Sequence, residues 1–146
     1  MFASCFKLKE ADFTRWNTTK WNLSTSCDLR YFMQYCYNLR KVNLSNLNVG
    51  PITSLSYYGN SAAGTASTTP FYCCYNLEEV TPPQNYKGHL DLANCLLLPR
   101  SEILKIFNAL AAPIDSNAKI WISSMKYKLT TADIAIATNK GYTVVQ

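Results

Sequence analysis

The chain has 146 residues, 48% of them hydrophobic and 16% charged, and its net charge is 14 − 9 = +5. That length is typical of one domain, and no apolar stretch approaches the ~18 residues that a transmembrane helix needs. The lysines and arginines are scattered along the sequence, so no charged interaction tail is predicted.

In chain order, the predicted elements begin with a phrase that occurs three times, at residues 5–11, 36–42 and 74–80. It consists of a cysteine, an aromatic residue, a leucine three after the cysteine and a small or β-branched apolar residue six after it. An apolar residue also precedes each cysteine by three positions. This pattern is typical of a leucine-rich repeat, in which alternate side chains of a short strand enter a shared core. The predicted fold class is therefore α/β, a leucine-rich-repeat solenoid with short parallel strands and irregular loops.

The repeated phrase divides the first part of the chain into coils. The first coil is expected at residues 1 to about 30 and the second at residues 31 to about 50. Residues from about 57 to 70 are mostly small. Because small residues bury little apolar surface, we predict a flexible insertion there. The third coil begins at Phe71, and its strand is short because the two prolines after Thr81 cannot donate ladder hydrogen bonds.

A fourth strand is predicted at residues 89–92, where two polar residues alternate with two leucines. Alternation of this kind predicts that His89 and Asp91 point outward.

From Pro99 the pattern changes to alternating helices and strands. A helix is predicted from Pro99, a strand at residues 119–123, a second helix from Thr130 and a final strand at residues 142–145. Such units would cover the open end of a solenoid, which predicts a strand–helix–strand cap. The predicted division, expected to fold as one unit, is residues 1–98 as repeat coils and residues 99–146 as a C-terminal α/β cap.

The opening Met-Phe-x-x-Cys-x-x-Leu at residues 1–8 and the strand Val-Asn-Leu-Ser at residues 42–45 resemble the BspA-like leucine-rich repeat family. Residues 134–142 are similar to the closing segment of many such proteins from gut bacteria and their phages. The resemblance covers nearly the whole chain apart from residues 57–70. It implies adhesion or recognition on a bacterial cell surface or phage virion, with a surface glycan or a protein receptor as partner. It implies no catalytic activity and no cofactor.

The beginning of the chain already lies inside a repeat. Its first residues, 1–5, show no basic region followed by an apolar region, so no signal peptide is predicted, and the chain is expected to be a fragment of a longer protein. The sequence leaves the oligomeric state open.

The residue after each repeat cysteine is aromatic: Phe6, Tyr37 and Tyr75. If the coils stack in register, these three side chains form a column, which we call the aromatic column. Aromatic rings are good platforms for sugars or partner proteins, and tyrosine adds a hydroxyl group. A column that serves only to pack the coils together is an equal alternative.

Two further surfaces are candidates for ligand binding. The outward row of the strands, in which Asp12 and Asn43 are the proposed contacts, would offer a hydrogen-bonding strip, although exposed polar side chains need no ligand. The insertion contains Tyr57, Tyr58 and Asn60 and has the composition of an adaptable paratope, with a disordered insertion as the alternative. The full predicted outward row is Glu10, Asp12, Lys41, Asn43, Glu79, Thr81, His89 and Asp91.

Three of the six cysteines, Cys5, Cys36 and Cys74, hold the same repeat position. They are expected to stack as small buried residues, although strands ~4.8 Å apart leave a disulfide between two of them open. The other three, Cys27, Cys73 and Cys95, share no position. In an extended segment the neighbouring residues 73 and 74 would point to opposite faces, which would expose one thiol.

Catalytic and metal sites are not predicted. There is no Cys-x-x-Cys spacing, and His89 is the single histidine available to a serine or cysteine nucleophile. The remaining alternatives are a purely structural role and polyanion binding, although nucleic acid is not favoured. Polyanions would bind a basic edge in the first two coils, which Glu10 and Asp12 interrupt. The cations of this edge are Lys7, Lys9, Arg15, Lys20, Arg40 and Lys41.

Overall fold

The structure is a computed structural model that describes residues 2–16, 31–49, 69–114 and 116–146. Within these ranges the chain forms two three-stranded parallel sheets together with helices, which is a mixed α/β architecture. Each helix in this part of the chain is too short or too polar to cross a lipid bilayer. Assignment of the architecture to the leucine-rich-repeat class stays a prediction.

The first sheet contains the strands of the three repeated phrases, β1 (Glu10–Asp12), β2 (Lys41–Asn43) and β3 (Glu79–Thr81). The register pairs Ala11 with Val42 and Val42 with Val80. These are the residues six positions after each repeat cysteine, so the alignment of the phrases in the sequence is also their alignment in the sheet.

The second sheet contains β4 (Leu90–Asp91), β5 (Lys119–Trp121) and β6 (Thr143–Val145), in that order and all parallel. The strands predicted at residues 119–123 and 142–145 are confirmed in shortened form. The strand predicted at residues 89–92 retains two of its four residues.

Helices connect and cover the two sheets: α1 (Arg100–Ala109), a 3₁₀ helix (Ser123–Lys128) and α2 (Thr131–Thr138). Helix α1 packs on β3, where Glu102 Oε2 accepts a hydrogen bond from the Val80 N–H at 3.3 Å. Helix α2 begins with a reciprocal capping box between Thr130 and Asp133, which confirms its predicted start. Arg100 also donates two hydrogen bonds to Asp133, at 2.8 and 2.7 Å, and so joins the starts of both helices.

Each repeat cysteine lies in the same turn. Its N–H donates to the carbonyl of the apolar residue three positions earlier, at 3.2, 3.3 and 3.1 Å in the three phrases, and the leucine three later donates to the cysteine carbonyl at 3.0, 3.0 and 3.2 Å. The residue before each cysteine adopts a positive φ: Ser4 (61°), Tyr35 (59°) and Cys73 (61°). The repeated phrase therefore encodes a repeated left-handed turn, built without glycine.

Successive turns stack on one another. The thiol of Cys36 donates to the Phe2 carbonyl at 3.0 Å, and the thiol of Cys74 donates to the Met33 carbonyl at 3.2 Å. Both thiols are fully buried, which confirms that these two cysteines stack as small core residues. The described cysteines are free thiols, and Cys27 lies outside the described residues.

A fourth turn was not predicted; it has the same two backbone hydrogen bonds, but the residue before its cysteine is not left-handed. Cys95 donates its N–H to the Leu92 carbonyl at 3.0 Å, and Leu98 donates to the Cys95 carbonyl at 3.0 Å. The Cys95 thiol points at the Phe71 carbonyl, 3.9 Å away, as the thiols of the earlier coils point at theirs. The prediction that Cys95 holds no shared position is therefore wrong.

The second sheet also contradicts the predicted outward row. His89 and Asp91 are buried, at 0% and 1% exposure, and the leucines that alternate with them are buried as well. Strands of a parallel sheet that is covered on both faces lose the alternation of buried and exposed residues, so the period-two pattern was misleading here. His89 Nδ1 accepts a hydrogen bond from the Lys119 N–H at 3.1 Å, and its ring lies 5.7 Å from that of Trp121.

The predicted exposure of one thiol of the neighbouring Cys73 and Cys74 is also wrong, because both are buried. Neighbouring side chains point to opposite faces only in an extended segment, whereas Cys73 occupies the left-handed region.

Candidate functional site

The aromatic column that the sequence predicted is present on the surface of the stacked turns. The rings of Phe6 and Tyr37 stack with their centroids 5.2 Å apart, and those of Tyr37 and Tyr75 stack at 5.4 Å. Their exposed fractions are 50%, 38% and 43%. Because the preceding cysteine side chain enters the core, each turn directs the next residue to solvent, and the parallel register places these residues one above another.

Asparagine side chains support the column and were not predicted as part of it. Asn38 Nδ2 donates to the Phe6 carbonyl at 2.6 Å, and Asn76 Nδ2 donates to the Tyr37 carbonyl at 2.8 Å. Each bond links a coil to the coil before it at the position of a column residue. The signal in the sequence was the dipeptide Tyr-Asn, which follows the cysteine in the second and third phrases.

Two more tyrosines border the column. The ring of Tyr35 lies edge-on to Tyr37 at 6.0 Å and edge-on to Tyr72 at 5.6 Å. Both are half-buried. Neither tyrosine follows a repeat cysteine, so the repeated phrase did not predict them as part of the site.

The hydroxyl groups of Tyr72 and Tyr75 stay protonated at neutral pH. A side-chain hydrogen bond with Cys73 raises the pKa of Tyr75 to about 12. The neighbouring Cys73 also raises the pKa of Tyr72, with burial as a second cause. The region therefore presents hydroxyl groups that can donate hydrogen bonds.

The ring faces of the column are largely occupied by the stacking itself. Tyr37 lies between Phe6 and Tyr75 with interplanar angles of 19° and 18°, so both of its faces contact a neighbouring ring. What it presents to solvent is mainly the ring edge and the hydroxyl group. An aromatic ring carries partial negative charge on its face and partial positive charge at its edge, so the exposed edges attract electron-rich groups.

The outward row of the first sheet has a structural role at its two candidate residues. Asp12 Oδ1 accepts from the Thr14 N–H at 2.9 Å, and Asn43 Oδ1 accepts from the Ser45 N–H at 3.1 Å, so both side chains close the turn after their strand. The backbone hydrogen bond from Thr14, and after it the hydrogen bond from the Thr14 side chain, hold the pKa of Asp12 below its usual value. Their participation in ligand binding stays a prediction.

Cations of the second coil are paired with acidic residues of the third. Arg40 contacts both carboxylate oxygens of Glu78, at 2.9 to 3.2 Å, and Lys41 Nζ lies 3.3 Å from Glu79 Oε2. The hydrogen bonds with Glu78 raise the pKa of Arg40. Two of the five described cations of the predicted basic edge are thus paired locally with a carboxylate.

Four of the described cysteines and the single histidine are buried. Burial raises the pKa of the Cys36, Cys74 and Cys95 thiols, and His89 is enclosed in the second sheet. A reactive cysteine needs a lowered pKa and access to substrate. Across the described ranges, no group of three or more histidine, cysteine, aspartate or glutamate side chains has the arrangement of a metal site.

The structure thus brings together three of the predicted site residues, Phe6, Tyr37 and Tyr75, and places Asp12 and Asn43 apart from them at the ends of β1 and β2. The remaining candidates, Tyr57, Tyr58 and Asn60, lie outside the described residues. The chain matches no protein-family model, no curated protein and no solved structure.

Proposed function

We propose that this chain is a non-enzymatic recognition or adhesion module that binds a surface glycan or a protein through the aromatic column. The observation that carries the proposal is the exposure of three stacked rings in one row, at 38–50% of their surface. An extracellular location, on a bacterial surface or a phage virion, belongs to the same proposal through the family resemblance.

The exposure of the column favours binding over packing alone. Stacking of one aromatic pair contributes ~0.5–1.5 kcal/mol, so the rings do support the coils. Phe6, Tyr37 and Tyr75 nevertheless leave a large apolar area in water, which association with a partner would remove. Tyrosine is among the residues enriched at the centres of binding interfaces.

The chemistry of the buried groups supports a role without catalysis. The buried thiols have raised pKa values, and the His89 imidazole accepts a backbone hydrogen bond inside the second sheet. In the described chain, these groups offer a substrate neither a thiolate nor an exposed base.

Polyanion binding is the less favoured alternative. Arg40 and Lys41 are paired with Glu78 and Glu79, so a polyanion would have to displace these carboxylates to reach them. Competition of this kind weakens the electrostatic attraction on which nucleic-acid binding depends.

The test is a binding screen of the purified chain against a glycan array and a peptide array, with heparin and single-stranded DNA as controls, at low and high salt. Three proteins are compared: the wild type, the Tyr37→Ala/Tyr75→Ala variant and Tyr31→Asn. Tyr31 is 45% exposed and lies outside the column, and asparagine tolerates its positive φ of 58°. It is therefore a matched control for the loss of an exposed tyrosine.

We expect ligands whose binding persists at high salt. These ligands should bind the wild type and Tyr31→Asn but not the double variant. Ligands that bind all three proteins equally would contradict it. Binding to heparin or DNA alone, abolished by salt, would favour the polyanion alternative.

A further inference from the structure

We propose that the aromatic column is part of a longer docking strip whose occupant is a protein segment with apolar side chains flanked by acidic groups. This inference rests on the proposed function and specifies the class of its ligand.

The strip extends beyond the three repeated phrases because two later turns continue the stack. Cys95 makes the same two backbone hydrogen bonds as Cys74, although the residue before it is not left-handed, and its thiol points at the previous coil in the same way. We therefore assign the next residue, Leu96, to the position that Tyr75 has in its coil. In the 3₁₀ helix, Met125 makes the first of these two bonds by donating its N–H to the Ile122 carbonyl at 2.6 Å, and we assign it to the fifth coil.

Direct contacts confirm that these two turns are neighbours. Leu92 donates its N–H to the Trp121 carbonyl at 2.9 Å, and Lys128 Nζ donates to the Leu96 carbonyl at 2.6 Å. The Leu96 carbonyl is thus bonded by the following coil, as the Phe6 and Tyr37 carbonyls are by asparagines.

The docking strip consists of two adjacent rows of side chains. The first row holds the residue after Met125 and after each of the cysteines Cys5, Cys36, Cys74 and Cys95. The second row holds the residue after that. In order of the coils, the first row is Phe6, Tyr37, Tyr75, Leu96 and Lys126, and the second row is Lys7, Asn38, Asn76, Leu97 and Tyr127.

The part of the docking strip nearest the C terminus is as apolar and as exposed as the column. Leu96 is 47% exposed, Leu97 51% and Tyr127 76%. Neighbouring large apolar side chains exposed together are typical of protein interaction sites rather than of free surface.

The charge of the docking strip indicates the chemistry of the partner. Neither row contains a carboxylate, Lys7 lies at one end and Lys126 at the other. The exposed ring edges between them also favour electron-rich groups. A complementary partner is apolar in its centre and acidic at its flanks.

A protein segment fits these features better than a sugar or a polyanion. Sugars stack on ring faces, and both faces of Tyr37 are covered by neighbouring rings. A sulfated glycan or a nucleic acid backbone would meet the lysines but would bury little of Leu96 and Leu97. An extended peptide can do both, with apolar side chains over the centre and carboxylates at the ends.

The size of the docking strip sets the length of the probe. Ring centroids in the column are 5.2 and 5.4 Å apart. Four such steps join the five coils, so the docking strip is roughly 20 Å long, which about six extended residues at ~3.3 Å each would cover.

The experiment titrates the full chain with fluorescently labelled peptides of about eight residues. One peptide has a Leu- and Phe-rich centre with acidic flanks. Its first control has lysine flanks, and its second has serines in place of the apolar centre. A neutral maltooligosaccharide and heparin are the competitors from the other ligand classes.

The acidic-flanked apolar peptide is expected to bind at least tenfold more tightly than either control peptide. The Leu96→Ser/Leu97→Ser variant should weaken this binding about tenfold, because it removes two exposed apolar contacts. Lys7→Glu should weaken it about fivefold, whereas Lys9→Glu, which makes the same charge change outside both rows, should leave it within about twofold.

Equal binding of the lysine-flanked peptide, or unchanged binding by the Leu96→Ser/Leu97→Ser variant, would overturn the inference. The inference would also be overturned if the neutral oligosaccharide or heparin, and not the peptide, displaced the ligand that binds the aromatic column. If column-dependent ligands of the array screen prove to be glycans, the proposed function stands and the protein class of the partner is wrong. If no ligand depends on the column, both fail together.

Discussion

The two sheets contain the same turn after a strand, in one case exposed and in the other buried. Asp12 Oδ1 accepts from the Thr14 N–H at 2.9 Å at the end of β1, and Asp91 Oδ1 accepts from the Ala93 N–H at 2.8 Å at the end of β4. Asp12 is exposed to solvent, and hydrogen bonds lower its pKa. Asp91 is 1% exposed, and burial raises its pKa to about 6 although the same hydrogen bond opposes the shift.

The local sequence determines the turn, whereas packing determines the direction in which the pKa of its carboxyl group is shifted. In the described chain, Asp91 Oδ2 has no hydrogen-bond partner, so ionisation would leave a poorly compensated charge inside the second sheet. Exposure at Asp12 and burial at Asp91 therefore shift the pKa of the same kind of turn carboxylate in opposite directions.

The largest effect is expected from Asp91→Asn. The folded-state pKa of about 6 lies above the ordinary value of 3.8, so the folded protein binds this proton more tightly than the unfolded chain. The contribution of Asp91 to stability is present below about pH 4 and is lost as the pH rises through about 6. Between about pH 4 and pH 8 the variant should gain about 3 kcal/mol relative to the wild type, measured by urea unfolding at both pH values.

Asp12→Asn is the matched control for this prediction. Asn43 makes the same turn with an amide oxygen, so the turn should survive the substitution. The pKa of Asp12 is lowered, so its contribution is present at neutral pH and is lost as the pH falls. If the two variants respond to pH in the same direction, the contrast between the sheets is wrong.

A smaller change in the free energy of unfolding, and a loss of stability, is expected when the N-terminal cap of α2 is removed. Thr130 accepts a hydrogen bond from the Asp133 N–H at 3.2 Å, and substitution by alanine removes this acceptor. Thr130→Ala should reduce the free energy of unfolding by about 1 kcal/mol. Thr130→Ser keeps the hydroxyl group and should restore most of the loss in the same chemical denaturation experiment.

The smallest effect is expected at the exposed ion pair of the first sheet. The side chains of Arg40 and Glu78 are 57% and 34% exposed, and water screens such pairs. Arg40→Ala should lower the Tm by about 2 °C or less, and about 0.5 M NaCl should remove even that difference. A salt-independent decrease in Tm as large as that of Thr130→Ala would contradict the screening of this ion pair by water.

Much of the first sheet could be predicted from the sequence, because one phrase is repeated with its cysteine, aromatic residue and leucine at fixed positions. That repetition predicted the parallel register and the column of Phe6, Tyr37 and Tyr75. The fourth turn was missed although Leu92 and Leu98 lie three residues before and after Cys95, because Leu96 replaces the aromatic residue and Ser101 replaces the apolar residue six positions after the cysteine. Its hydrogen bonds and the contact of its thiol with the previous coil identify it.

The second sheet was predicted less well for a physical reason. Alternation of polar and apolar residues predicts one exposed face. The packing of the cap instead buries His89 and Asp91 together with the two leucines that alternate with them. The left-handed conformation of Cys73 was also not predictable from residue type, because non-glycine residues adopt it only where the surrounding structure requires it. Both errors arise where tertiary packing overrides a local pattern.

The central claim is that the aromatic column binds a ligand and is not merely part of the packing. The most direct measurement is the Kd of the best array ligand for the wild type, Tyr37→Ala/Tyr75→Ala and Tyr31→Asn, with thermal unfolding followed on the same samples. The account predicts a Kd at least tenfold higher for the double variant alone, with cooperative unfolding retained in all three proteins. An unchanged Kd, or loss of cooperative unfolding in the double variant, would contradict it.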